Sequence, residues 1–158
     1  MSTDATNPPP YAAPDVSLIG DEHIRRYEET DGEVGHEWNG ATCLVLTTTG
    51  RRTGQPRKFA LIYGCDGDKY LVVASKGGAP THPGWYLNLA ANPEVQVQVR
   101  GDRFPAHART ATAEEKPRLW SIMTEVWPNY DVYTTRTDRD IPVVVLERDP
   151  APGAGSGT

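Results

Sequence analysis

Residues 94–100, Glu-Val-Gln-Val-Gln-Val-Arg, alternate apolar and polar without a break. A period of two suits a half-buried strand and no helix. Val95, Val97 and Val99 are expected to face a core, with Gln96 and Gln98 outward. The neighbouring segments share this β character. Ala41–Thr49 is rich in β-branched residues, and the turn Gly50-Arg-Arg-Thr-Gly54 leads into a strand from Pro56 to Cys65. Asp66-Gly67-Asp68 is a hairpin signal before a strand over 69–74. Two more strands are expected over Arg103–Ala111 and Ile141–Glu147, with Gly101-Asp102 as the turn into the first of them.

Helices fall between these runs. Asp21–Thr30 reads as a short polar helix with acids at its positive end, a stripe of Ile24 and Tyr27, and Gly32 as its stop. Pro83 opens a helix over 84–91 that Asn92-Pro93 ends. Thr112-Ala-Glu-Glu115 is a capping box for a helix whose apolar positions are Leu119, Ile122, Met123 and Val126, closed by Pro128. About six antiparallel strands with inserted helices make an α+β protein, and closing the sheet into a small barrel removes its exposed edges.

The ends differ from this middle. Six of the 14 prolines lie at positions 8, 9, 10, 14, 150 and 152. Residues 1–15 and 150–158 therefore read as disordered tails around one domain at 16–149. No apolar run approaches the length of a transmembrane helix, and MSTDATNPPP lacks the features of a secretory signal, so a cytoplasmic location is expected. Cys43 and Cys65 fit neither a disulfide framework nor a zinc motif and read as small buried hydrophobes; no metal is expected. A net charge of −5 opposes general nucleic-acid binding.

Charge is unevenly spread. Eight acids fall between Asp15 and Glu37, whereas Gly50–Lys58 holds Arg51, Arg52, Arg57 and Lys58 with no acid. Glycines that permit close approach, joined to guanidinium forks, suit a small polyanion. Ser75-Lys76-Gly77-Gly78 is a second candidate, where paired glycines allow a nest of N–H groups beside an ammonium. Trp85 and Tyr86 are adjacent on a short helix, so one of them should reach a cleft. Tyr130 and Tyr133 are spaced to stand together over a flat ligand, and their hydroxyls can supply a proton. His23, His36, His82 and His107 are scattered and none reads as catalytic. Polyanion loops and aromatics without a triad, metal cluster or paired carboxylates are what a cofactor-dependent enzyme would show.

Leu44–Arg57, Val72–Ala79 and His82–Pro93, followed by Trp127-Pro-Asn-Tyr130 and Asp138-Arg-Asp-Ile-Pro-Val-Val144, resemble the deazaflavin (coenzyme F420)-dependent nitroreductase family of actinobacteria. That resemblance implies a split β-barrel of the flavin-reductase type. It implies that the basic turn (Arg51, Arg52, Arg57, Lys58) and Lys76 bind the cofactor's phosphate and oligoglutamate tail. Ala60, Ile62, Ala74, Ser75 and Gly77 would border the deazaflavin ring, with Trp85 and Asn88 closing that side. Trp127, Tyr130 and Tyr133 would form the substrate pocket, with one tyrosine as proton donor. Trp127 and Ile62 stand where relatives carry tyrosines. The implied reaction is hydride transfer to a small-molecule acceptor: a quinone reached at the inner-membrane surface, an activated C=C bond or a nitroaromatic. A flavin mononucleotide enzyme of the same barrel type and a non-catalytic deazaflavin carrier are the alternatives, and both monomer and homodimer fit.

Overall fold

The computed structural model describes Tyr11 and residues 13–149. The expected C-terminal tail, and the expected N-terminal tail apart from Tyr11 and residues 13–15, lie outside the described residues. The described part of the N-terminal segment is held by contacts. The Asp15 N–H donates to Asn39 Oδ1 at 2.8 Å, and Asn39 Nδ2 returns a bond to the Asp15 carbonyl at 2.9 Å.

The chain runs α1 (Gly20–Thr30), β1 (Glu37–Trp38), β2 (Ala41–Thr49), β3 (Pro56–Ile62), β4 (Gly64–Asp66), β5 (Lys69–Val73), α2 (Gly84–Ala91), β6 (Glu94–Val99), β7 (Asp102–Thr110), α3 (Lys116–Val126), α4 (Asn129–Tyr133) and β8 (Val143–Arg148). All strand pairs are antiparallel. The order is β1-β2-β6-β7-β8-β5-β4, with β3 also paired to β2. β3 and β4 are consecutive in sequence yet pair with strands far apart in that order, so the sheet curls toward closure as a split barrel.

The expected strand over 56–65 breaks at Tyr63, where pairing passes from β2 to β5. Ile62 is opposite Cys43 and Gly64 is opposite Leu71. Gly64 carries the corner because a Cβ there would lie 2.7 Å from Met123 Sδ of α3. This break and the two-residue β1 account for eight strands where about six were expected.

Both faces of the middle strands are covered, which explains why Val143, Val144, Val145 and Leu146 are all buried. The barrel interior joins Leu44, Leu46, Val72, Val97 and Leu146 with Trp85 and Leu89 of α2. On the other face, Leu71, Val143 and Val145 pack against Leu119 and Met123 of α3 and the tyrosines of α4. α1 docks through Tyr27, fully buried, whose hydroxyl donates to the Cys43 carbonyl at 3.0 Å and accepts from the Arg100 N–H at 2.8 Å.

Five local expectations change. Gln98 is buried, because its side chain turns to the Arg100 carbonyl at 2.8 Å and satisfies the bend after β6. Cys65 is exposed, because the corner at Tyr63 resets which side of β4 faces out. α1 ends at Thr30 as expected, but Asp31 rather than Gly32 caps it, in the left-handed conformation at φ 52°. The buried stripe of α1 is His23 and Tyr27, with Ile24 only half-buried. The capping box forms, with the Glu115 N–H on Thr112 Oγ1 and the Thr112 N–H on Glu115 Oε1, but the helix begins after it, at Lys116.

Candidate functional site

The barrel leaves an apolar cavity of about 330 Å³ between β3, the end of β5, α1 and α4. Ala60 and Ile62 reach it from β3, Ser75, Lys76 and Gly77 from the loop after β5, and Trp85 from α2. Trp127, Tyr130 and Tyr133 line it as well. Nine positions expected at a cofactor or substrate site therefore meet in one space. α4 creates the aromatic wall: one helical turn puts the Tyr130 and Tyr133 rings 6.1 Å apart, edge to face.

The two tyrosines differ. The Tyr133 hydroxyl accepts from Trp127 Nε1 at 3.4 Å. The Tyr130 hydroxyl has no hydrogen-bond partner among the described residues, and burial pushes its phenol well above the usual range. Tyr130 is thus a neutral donor facing the cavity at any working pH. The Cys43 thiol, also on the wall, is pushed up to about 12 by burial and stays protonated.

A second cavity of about 270 Å³ draws on the same two elements, α2 and β3. Phe59, Gly84 and Asn88 line it, next in the chain or one helical turn from Ala60 and Trp85 of the first. Arg51, Arg52 and Arg57 converge there. Asn88 organises this wall. Its Oδ1 accepts from Arg51 Nη1 at 2.9 Å and from the Arg51 N–H at 3.2 Å, while its Nδ2 donates to Thr48 Oγ1 at 3.1 Å. Lys58 does not join the arginines. Strand alternation turns it to the other face, where Nζ meets Glu28 of α1 at 2.7 Å. Ala74 is fully buried in the barrel core and lies behind the cavity wall.

The loop after β5 is held in an unusual shape. Lys76, Gly77 and Gly78 all have positive φ (48°, 63° and 84°). The expected nest of free N–H groups is partly used up, since those of Gly78 and Ala79 bond to the Ser75 and Lys76 carbonyls. Arg139 clamps the loop, donating to the carbonyls of Ser75 (2.8 Å), Ala74 (3.1 Å) and Ala79 (3.1 Å) and to His82 Nδ1 (2.9 Å). Arg139, and the cavity-lining His23 and Trp38, had no role in the sequence reading. Their partners lie far along the chain, so no local spacing marks them.

The sequence profile of the F420H(2)-dependent quinone reductase family matches residues 20–148, which includes every element described above. The chain belongs to this family. It is 48% identical over 130 residues to the F420H(2)-dependent quinone reductase Rv1261c of Mycobacterium tuberculosis, covering 80% of this chain and 87% of that protein. Among solved structures, an F420-H2 dependent reductase (FDR-A) is 42% identical, with a TM-score of 0.62 over 66% of this chain and 93% of that one. A second, described as a domain-swapped dimer, is 38% identical, with a TM-score of 0.65 over 78% and 96%. The F420-dependent resemblance and the split-barrel fold therefore stand, with a quinone rather than a nitro compound in the family's name.

Proposed function

We propose that this protein is an oxidoreductase that reduces a quinone with reduced coenzyme F420. The observation that carries this reading is an apolar, aromatic cavity lined by Trp85 and a tri-arginine cavity lined by Asn88, one turn further along α2. A flat ring joined to a polyanionic tail fits both compartments at once. A lone phosphate, as in flavin mononucleotide, would occupy the arginines with less charge than they can pair.

When bound, the reduced deazaflavin supplies the hydride. The protein's own groups do the rest. Arg52 and Arg57 neutralise the anionic tail, and Arg51 is aimed by Asn88. Ala60, Ile62, Ser75, Gly77 and Trp85 exclude water from the ring, with Lys76 at the rim. Trp127, Tyr130 and Tyr133 hold the acceptor flat, and the Tyr130 hydroxyl donates to an acceptor oxygen. Ile19, 55% exposed and on the cavity wall, gives it an apolar mouth suited to a quinone.

An acceptor panel tests this reading. With reduced F420, menadione should be consumed faster than a cyclic enone or a nitroaromatic. Binding of F420 without reduction of any acceptor would make the protein a carrier instead.

A further inference from the structure

His23 lies on α1 and is 4% exposed, yet it lines the apolar cavity. Its Nε2 sits 2.8 Å from the Gly35 carbonyl oxygen. A carbonyl only accepts, so Nε2 carries a hydrogen in every protonation state of the ring. The whole Cδ2–Nε2 edge is packed there: a Cβ on Gly35 would lie 2.9 Å from His23 Cδ2. One ring face stacks on Trp38, with centroids 6.2 Å apart and planes 24° apart. Trp38 is fixed in turn by its indole N–H on the Leu18 carbonyl at 2.7 Å.

What remains is Nδ1. It has no hydrogen-bond partner among the described residues, and none of their sealed side-chain nitrogens or oxygens lacks one. Nδ1 therefore opens onto the cavity. With Nε2 held by Gly35, proton gain and loss are confined to that one atom. Imidazole is the commonest side chain in general acid catalysis, where it gives up a proton. Cys43 and Tyr130, on the same wall, keep theirs.

We infer that His23 is a catalytic residue that gives a proton from Nδ1 to a quinone oxygen, an inference that rests on the quinone reading above. One hydride and one proton convert a quinone to its quinol. The hydride carries both electrons and comes from the reduced deazaflavin. The Nδ1–H bond breaks as the new O–H bond forms, leaving a neutral imidazole still bonded to Gly35, and solvent restores its proton. Tyr130 donates a hydrogen bond to the substrate without giving up its proton.

The test is single-turnover reduction of menadione by full-length protein loaded with reduced F420. His23→Gln keeps an amide N–H for the Gly35 carbonyl but has no proton to deliver. Its rate should fall at least about 100-fold, the usual scale for general acid catalysis, with F420 affinity unchanged. Exogenous imidazole should restore part of the rate to His23→Ala. In the wild-type protein, ¹⁵N NMR should find Nε2 protonated and Nδ1 shifting when menadione is added. A His23→Gln rate within twofold of wild type, an equal loss of F420 affinity, or an Nδ1 that ignores menadione would each overturn the role of His23. A wild-type protein that binds F420 but leaves menadione unreduced would overturn the quinone reading itself, and this role with it.

Discussion

The Arg139 guanidinium donates to His82 Nδ1 at 2.9 Å, and this contact ties the loop after β5 to the segment before β8. Burial and the neighbouring Arg139 charge both lower the His82 pKa, so the ring stays a neutral acceptor. With three carbonyls on the same guanidinium, the loop that carries Ser75, Lys76 and Gly77 is held from behind, away from the cavity it lines.

Arg139→Lys should release that loop. An ammonium is a point donor and cannot satisfy four acceptors arranged around a planar fork. Each lost charge-assisted bond is worth roughly 1.5–3 kcal/mol. F420 affinity should fall about 10-fold or more and loop amides should exchange faster with solvent, as read by titration and hydrogen exchange. Unchanged exchange at residues 75–79 would refute the clamp.

Gly78→Ala couples the same loop to the substrate wall. At φ 84° an alanine is strained, and its Cβ would lie 2.8 Å from both the Tyr133 carbonyl oxygen and Arg136 Cβ. Displacing that backbone should cost on the order of 1–3 kcal/mol and lower both F420 affinity and quinone turnover. A melting temperature equal to wild type would contradict the packing described.

Tyr130→Phe should leave F420 affinity unchanged and slow menadione reduction. The hydroxyl is a neutral donor to the substrate with no partner among the described residues to lose, so stability should hold. Equal turnover in the two proteins would remove Tyr130 from the mechanism.

Glu115 makes stability depend on pH. Arg109 and the Thr112 N–H hold its carboxyl down to about 2. A depressed carboxylate contributes stability that is present above its unfolded value, near 4.5, and lost as pH falls toward 2. The melting temperature of wild type should exceed that of Glu115→Gln by a constant margin above about pH 5, and the margin should close below it. A margin that persists undiminished at pH 2.5 would contradict the ion pair.

The strands were legible because alternation and β-branching are local, as in Val95, Val97 and Val99. The corner at Tyr63 was not, because it depends on pairing with β2 on one side and β5 on the other. The same divide runs through the site. Arg51, Arg52 and Arg57 stand out as a local charge cluster and do converge. Lys58, inside the same cluster, leaves it for Glu28, thirty residues away in sequence, by strand alternation. His23 reaches the cavity only because Tyr27, one turn on, docks α1 against the barrel. Its sequence surroundings are those of a solvated polar helix.

The most direct test of the two-compartment site is a fluorescence titration with oxidised F420 and, in parallel, with flavin mononucleotide, at low and high salt. F420 should bind more tightly, lose affinity as salt rises, and lose it again in Arg52→Ala, by the roughly 1.5–3 kcal/mol of one charge-assisted contact. Tighter binding of flavin mononucleotide, or F420 affinity indifferent to both salt and Arg52, would contradict the account.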